Sequence, residues 1–327
     1  MLNLGIIGTS GIAHEFAKAL QMTEDYQVKA IYSRTKSKAQ SFGEGYGADL
    51  FFDDLEEMLA RPEIDVIYIA SPNSLHFQQA MSALDHHKHV IVEKPAFSNL
   101  FEWEQAFARA EEVGVKLFEA ARHLHDRNFQ VVKDQIKKFD KIDNAVLSYG
   151  KYSSRYDQVL DGQEPNIFSL KYSGGALMDL GVYLLYAAIG WFGEPESATY
   201  QMKKVSTGVD GSGVILFQYP TFNVTMHVSK TFNLHVSNEI NNGHQTIILD
   251  ELTGTKEIIL ENTRTNERTD LAYQPDAHLM LAEALAFARE INHPSNDYEE
   301  WKQLSRKVTA WSEKLRKEAG IYFTADK

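Results

Sequence analysis

The chain has 327 residues, of which 43% are hydrophobic, and a formal net charge of −12. That acidic balance argues against a nucleic-acid backbone or an anionic membrane as partner, and the absence of cysteine excludes disulfides, thiolate nucleophiles and cysteine-bound zinc. The length suits two domains; with no charged leader before the first apolar stretch and no apolar run taken as membrane-spanning, a cytoplasmic protein is expected.

Leu2 to Ile7 form a short apolar run of strand type, followed by Gly8-Thr9-Ser10-Gly11-Ile12-Ala13. Ile12, Phe16, Ala19 and Leu20 then keep helical spacing. Strand, glycine turn and helix are the setting in which a dinucleotide fingerprint carries meaning. Gly8 permits the tight turn, Ala13 permits close helix–strand packing, and the helix N-terminus presents N–H groups to a pyrophosphate. Ser10 stands where the fingerprint has its middle glycine, with Gly11 just after it.

A second strand is expected over 28–32, and Ser33-Arg34-Thr35-Lys36-Ser37-Lys38 follows it. An NAD site usually places an acidic residue here for the ribose 2′-hydroxyl. This stretch has none; Arg34, helped by Ser33 and Lys38, suits a 2′-phosphate, because a guanidinium matches phosphate bidentately. NADP is therefore favoured over NAD.

A helix begins near Asp53, and 65–70 read as a buried strand before Ser71-Pro72-Asn73-Ser74-Leu75-His76 opens another helix. The apolar run 89–92 stops at Glu93-Lys94-Pro95. Proline cannot continue a central ladder, so Lys94 is held at the carboxyl end of a strand, where ligands of open parallel sheets sit. A helix over 99–113 and a strand over 115–118 close this half. The alternation predicts a doubly wound parallel α/β sheet. His86, His87 and His89 lack a carboxylate at ligand spacing and read as a solvated connection, so no metal is expected.

The rhythm then changes. A helix is expected over 126–139 and a strand over 145–153; the polar, irregular residues 154–173 suggest a functional loop. Gly174-Gly175 opens an apolar helix that ends at Gly190-Trp191-Phe192-Gly193. Strand patterns recur from 197 to 261, at 213–219, 222–229, 234–239 and 246–249. Helices over 275–292 and 297–319 end the chain. Strands massed between helices predict an α+β domain with a mainly antiparallel, open sheet.

Taken together, Gly8 to Ala13, Ser71-Pro72-Asn73 with His76, Glu93-Lys94-Pro95, and Gly174-Gly175-Ala176-Leu177-Met178-Asp179-Leu180-Gly181-Val182-Tyr183 resemble the Gfo/Idh/MocA family over nearly the whole chain. The resemblance implies an NAD(P)-binding Rossmann domain over 1–122 and a substrate-binding and oligomerisation domain over 123–327. It implies cofactor contacts from Gly8, Thr9, Ser10, Gly11, Ile12, Ser71, Asn73, His76, Glu93 and Lys94, and a cis bond between Lys94 and Pro95. Many members have histidine where this chain has Tyr183. Tyrosine there resembles the subgroup of dimeric dihydrodiol dehydrogenases, NADP-dependent xylose dehydrogenases and glucose–fructose oxidoreductase, and points away from inositol dehydrogenases.

The expected activity is hydride transfer between nicotinamide and a secondary alcohol or carbonyl of a sugar, polyol or dihydrodiol. Lys94, Asp179 and Tyr183 form the expected catalytic set. Asp179 and Tyr183, four residues apart, share a helix face; Lys94 is the natural partner for Asp179, and its charge would favour the Tyr183 phenolate. Arg122 and His123, with His125, follow the last strand of the first domain and are expected to reach the substrate. A homodimer or homotetramer through the open face of the second sheet is also expected. Two readings from other classes stand beside this one. A non-catalytic nucleotide-sensing regulator should lack the Lys–Tyr pair. An NAD-dependent glycosidase of the same superfold is disfavoured by Tyr183.

Overall fold

A computed structural model describes residues 1–327. The chain divides into two compact units, one of residues 1–122 and 276–306, the other of residues 123–275 and 307–327. From sequence, 276–306 group with the second domain; in the structure they belong to the first unit. Burial gives the reason: Met280, Ala284, Phe287 and Ala288 enter the same apolar cluster as Leu4, Phe16 and Tyr68.

In the first unit, β1 (Leu2–Ile7), β2 (Tyr26–Tyr32), β3 (Leu50–Phe52), β4 (Val66–Ile69), β5 (His89–Glu93) and β6 (Leu117–Ala120) form one parallel sheet in the order β3-β2-β1-β4-β5-β6. All four residues of β4 are buried, as are Val90, Ile91 and Val92 of β5. Strands covered on both faces read as continuous apolar runs rather than alternating ones. The strand order reverses between β1 and β4, so the turn after β1 lies at the switch point where such sheets bind nucleotides.

In the second unit, β7 (Asn144–Gly150), β8 (Ser197–Lys204), β9 (Asp210–Gln218), β10 (Asn223–Ser229), β11 (Asn238–Asn242), β12 (Gln245–Leu249), β13 (Ile258–Asn262) and β14 (Glu267–Asp270) form an eight-stranded sheet. Its order is β14-β13-β12-β11-β7-β10-β9-β8, antiparallel except where β10 pairs with β7. The strand expected over 234–239 begins only at Asn238. Just ahead of it side chains take the place of the ladder: Ser148 Oγ donates to the Val236 carbonyl at 2.6 Å, and Ser148 N–H donates to Asn238 Oδ1 at 2.7 Å. The polar stretch 154–173 is not structureless: it holds the helix Tyr156–Leu160 and 3₁₀ turns at Asn166–Phe168 and Leu170–Tyr172. Val159, Phe168 and Val209 give it a small core of its own. The stretch Leu170–Phe192 is long and apolar enough to cross a membrane, contrary to expectation, but its most apolar part is mostly buried inside the protein.

Candidate active site

The first unit builds a dinucleotide cradle. Gly8 has φ +102°, and a Cβ there would stand 2.8 Å from the Ala70 carbonyl oxygen, so both conformation and space demand glycine. Ser10 caps the helix Gly11–Leu20: its Oγ accepts from Ala13 N–H at 3.4 Å and donates to the Ala70 carbonyl at 3.2 Å. The serine thus ties the helix start to the end of β4, a job a glycine cannot do. A Cβ on Gly11 would meet nothing within 4 Å, and the first turn carries no carboxylate. The helix start is open and free of opposing charge, which fits a pyrophosphate. At the end of β2, Ser33 is buried while Arg34, Lys36 and Lys38 are exposed, and Arg34 makes no ion pair.

The carboxyl ends of β4 and β5 are braced from within. His76, 1% exposed, turns Nε2 to the Ser71 carbonyl at 2.9 Å and Nδ1 to the carbonyls of Pro95 and Ala96, both at 3.2 Å. Both ring nitrogens thus face main-chain carbonyls, joining the loop after β4 to the loop after β5. Burial holds its pKa below the ordinary imidazole value. Glu119 Oε1 accepts from Ala96 N–H at 3.0 Å, fixing the same loop from β6. The Lys94–Pro95 bond is cis. Glu93 is buried and accepts from the Tyr68 hydroxyl at 2.6 Å. Burial raises its pKa, against the opposing pull of Lys94, Tyr68 and Arg122. Glu283 is fully buried, with both carboxylate oxygens lacking a hydrogen bond; burial and the neighbouring Glu93 push its pKa well above the usual range.

In the second unit, Gly174 and Gly175 allow two close approaches. A Cβ on Gly174 would stand 2.6 Å from the Ile167 carbonyl carbon, and one on Gly175 would stand 2.1 Å from Asp210 Oδ1. Asp210 Oδ2 accepts from Leu177 N–H and from the Tyr200 hydroxyl, each at 2.6 Å. Asp179 lies in a π turn, Leu177–Gly181, that runs into the α-helix Val182–Phe192 carrying Tyr183. Such turns recur at functional sites. Asp179 pairs with Lys230, whose ammonium is 2.8 Å from Oδ2. Tyr183 is 5% exposed, with the rings of His123 and Tyr149 edge-on at 4.9 and 5.6 Å. His123 is itself buried against Tyr183, Tyr186 and Phe129.

Three of these residues escaped sequence reasoning, yet each left a signal. Lys230 shares the inward parity of Val224, Met226 and Val228, so a lysine there points toward the core. Glu283 falls on the face set by Met280, Ala284 and Phe287. Asp210 opens β9, where a buried carboxylate needs partners. The three histidines do not converge: His86 Nδ1 meets the Ser82 carbonyl at 2.9 Å, while His89 Nδ1 accepts from Lys116 N–H at 3.0 Å.

Residues 2–121 match an oxidoreductase family with an NAD-binding Rossmann fold, and 147–248 match the GFO/IDH/MocA C-terminal domain. The chain is 34% identical to the uncharacterized oxidoreductase YgjR of Escherichia coli, over all of this chain and 99% of the relative. The chain belongs to the Gfo/Idh/MocA family. It is 34% identical, over all of its length and 99% of the relative's, to the NADP-dependent scyllo-inositol 2-dehydrogenase IolU of Bacillus subtilis. A trans-1,2-dihydrobenzene-1,2-diol dehydrogenase of Xenopus tropicalis is 29% identical over 66% of this chain and 64% of its own. The fold matches that of KijD10, a 3-ketoreductase from Actinomadura kijaniata solved with NADP and TDP-benzene, with TM-score 0.83, 23% identity and 97% coverage of both chains. This Gfo/Idh/MocA chain is an NAD(P)-dependent oxidoreductase acting on a small molecule.

Proposed function

We propose that the protein is an NADP-preferring dehydrogenase or reductase acting on a secondary alcohol or carbonyl of a sugar, a polyol (inositols included) or a dihydrodiol. The observation that carries this reading is Asp179, a carboxylate about a third exposed, one turn before Tyr183 in a chain that keeps the dinucleotide cradle. The exposed Arg34, with no carboxylate partner, supports NADP, and so does the relative IolU, named as NADP-dependent. That relative also weighs against excluding inositols on the strength of Tyr183 alone.

Bound nicotinamide supplies the hydride acceptor or donor. Residues 1–122 hold the cofactor, through the N–H groups around Gly8 to Ile12 and the ends of β4 and β5 at Ser71, Asn73, Glu93 and Lys94. The second unit, residues 123–275 and 307–327, holds the substrate and carries the association surface. Tyr183 takes the hydroxyl proton in oxidation and returns it in reduction. Lys94 supplies positive charge to the oxygen that gains electron density. Asp179 accepts a hydrogen bond from a substrate hydroxyl, and Arg122 and His123 shape the substrate region. The enzyme works in the cytoplasm.

The protein associates as a homodimer or homotetramer through the open face of the second sheet. Val224, Met226 and Val228 of β10 are buried, whereas Thr225 and His227 between them are half-buried on the opposite face. A single monomeric species by light scattering at micromolar concentration would count against association. The activity is tested with sugars, polyols and dihydrodiols, and their oxidised counterparts, followed by nicotinamide absorbance with each cofactor. Turnover of at least one member with NADP is expected; inactivity on every member in both directions sinks the reading.

A further inference from the structure

We propose that Lys230 is a positioning residue for the reaction: it holds Asp179 oriented, and locks the 166–168 turn to it. This rests on the functional reading above, with Asp179 facing the substrate. Lys230 follows β10 and is 1% exposed, whereas Asp179 is 30% exposed, so the pair has one sealed end and one end that reaches solvent. The ammonium is fully engaged: Asp179 Oδ2 at 2.8 Å, the Ile167 carbonyl at 2.9 Å, and the face of the Phe168 ring at 4.5 Å. Its main chain is held too, with Lys230 N–H donating to the Gly211 carbonyl at 2.8 Å and its carbonyl accepting from Ser153 N–H at 2.9 Å.

Stability alone does not call for this arrangement. A carboxylate that reaches water needs no buried cation, and replacing a buried ion pair by apolar residues is often neutral or stabilising. What the pair does supply is direction. With Oδ2 committed to Lys230, the carboxylate is held toward one side at the end of the pair that reaches solvent. The same ammonium holds the Ile167 carbonyl, and Gly174 packs on that carbonyl group. Loop and carboxylate are thereby fastened at one atom, Nζ of Lys230.

The test is a double-mutant cycle of Lys230→Met and Asp179→Asn with the best substrate from the panel. Lys230→Met is expected to lower kcat by about tenfold to a hundredfold, the scale of a misplaced group, with NADP affinity unchanged and KM moving less than kcat. Lys230→Arg is expected to recover most of that loss. In the Asp179→Asn background Lys230→Met is expected to add almost nothing, because it acts through Asp179. An equal multiplicative loss in both backgrounds overturns the proposal and leaves Lys230 as scaffold. If Lys230→Met does not fold, Lys230→Gln carries the same cycle. Hydrogen exchange over 163–180 needs no turnover: reduced protection in the Lys230 variant is expected, and unchanged protection overturns the proposal. An inactive wild type would sink the functional reading, and the exchange result would still decide the tether.

Discussion

Gly175 and Asp210 fit together only because the glycine has no side chain: a Cβ there would stand 2.1 Å from Oδ1, at a φ of +125°. Asp210 cannot retreat, because Tyr200 and Leu177 N–H hold its other oxygen at 2.6 Å. The pair sets the start of the helix that carries Asp179 and Tyr183. Gly175→Ala should destabilise the protein by at least about 2 kcal/mol, from combined overpacking and backbone strain. Urea denaturation measures this, and a loss below about 0.5 kcal/mol, the scale of a neutral surface change, would show that the contact relaxes freely.

Glu283 gives a pH prediction. Its pKa is raised well above 4.5 by burial and by Glu93. A folded-state pKa above the unfolded one means that the folded protein holds the proton more tightly. That contribution is complete below the unfolded value and is lost as pH rises through the folded one. Glu283→Gln, which mimics the protonated acid, should therefore gain on wild type from pH 5 to 8, by up to about 1.4 kcal/mol per unit. A stability difference that stays flat across that range would refute it.

Cofactor preference is read at Arg34. Arg34→Ala should weaken NADP binding by roughly tenfold to a hundredfold, the loss of one charge-assisted phosphate contact, and leave NAD nearly unchanged. Titration with both cofactors checks it. Equal losses for the two would mean that the guanidinium stacks on the adenine instead.

The acid–base assignment is tested at Tyr183. Tyr183→Phe should lower kcat by about 10²–10⁴-fold with near-normal cofactor binding, and Lys94→Met by at least as much. Steady-state kinetics with the best substrate decides. A Tyr183→Phe enzyme that keeps more than about a third of kcat lies far outside that range and removes the tyrosine from the role.

The first unit was legible because its signals are local. An apolar run, a glycine turn and helical spacing are properties of neighbouring residues, and they placed Gly8, Ser10 and Lys94 at strand ends. The family pattern likewise marked Asp179 and Tyr183. The antiparallel character of the second sheet followed from strands massed between helices. Its details did not: the side chains of Ser148 and Asn238 take the bonds of a main-chain ladder just before Asn238, where 234–239 looked like a strand.

What only the tertiary structure decided are the pairings over long sequence separation. Asp179 finds Lys230, fifty-one residues on. Asp210 finds Tyr200 and the Leu177 N–H beside the Gly175 turn, whereas Glu283, on a later helix packed on the cluster of Leu4 and Tyr68, finds no hydrogen bond. Sequence marks each as a charge on an apolar face. Which partner relieves that burial depends on how distant strands and helices pack, because the desolvation cost falls on a residue wherever it is buried, while the compensating group can come from any part of the chain.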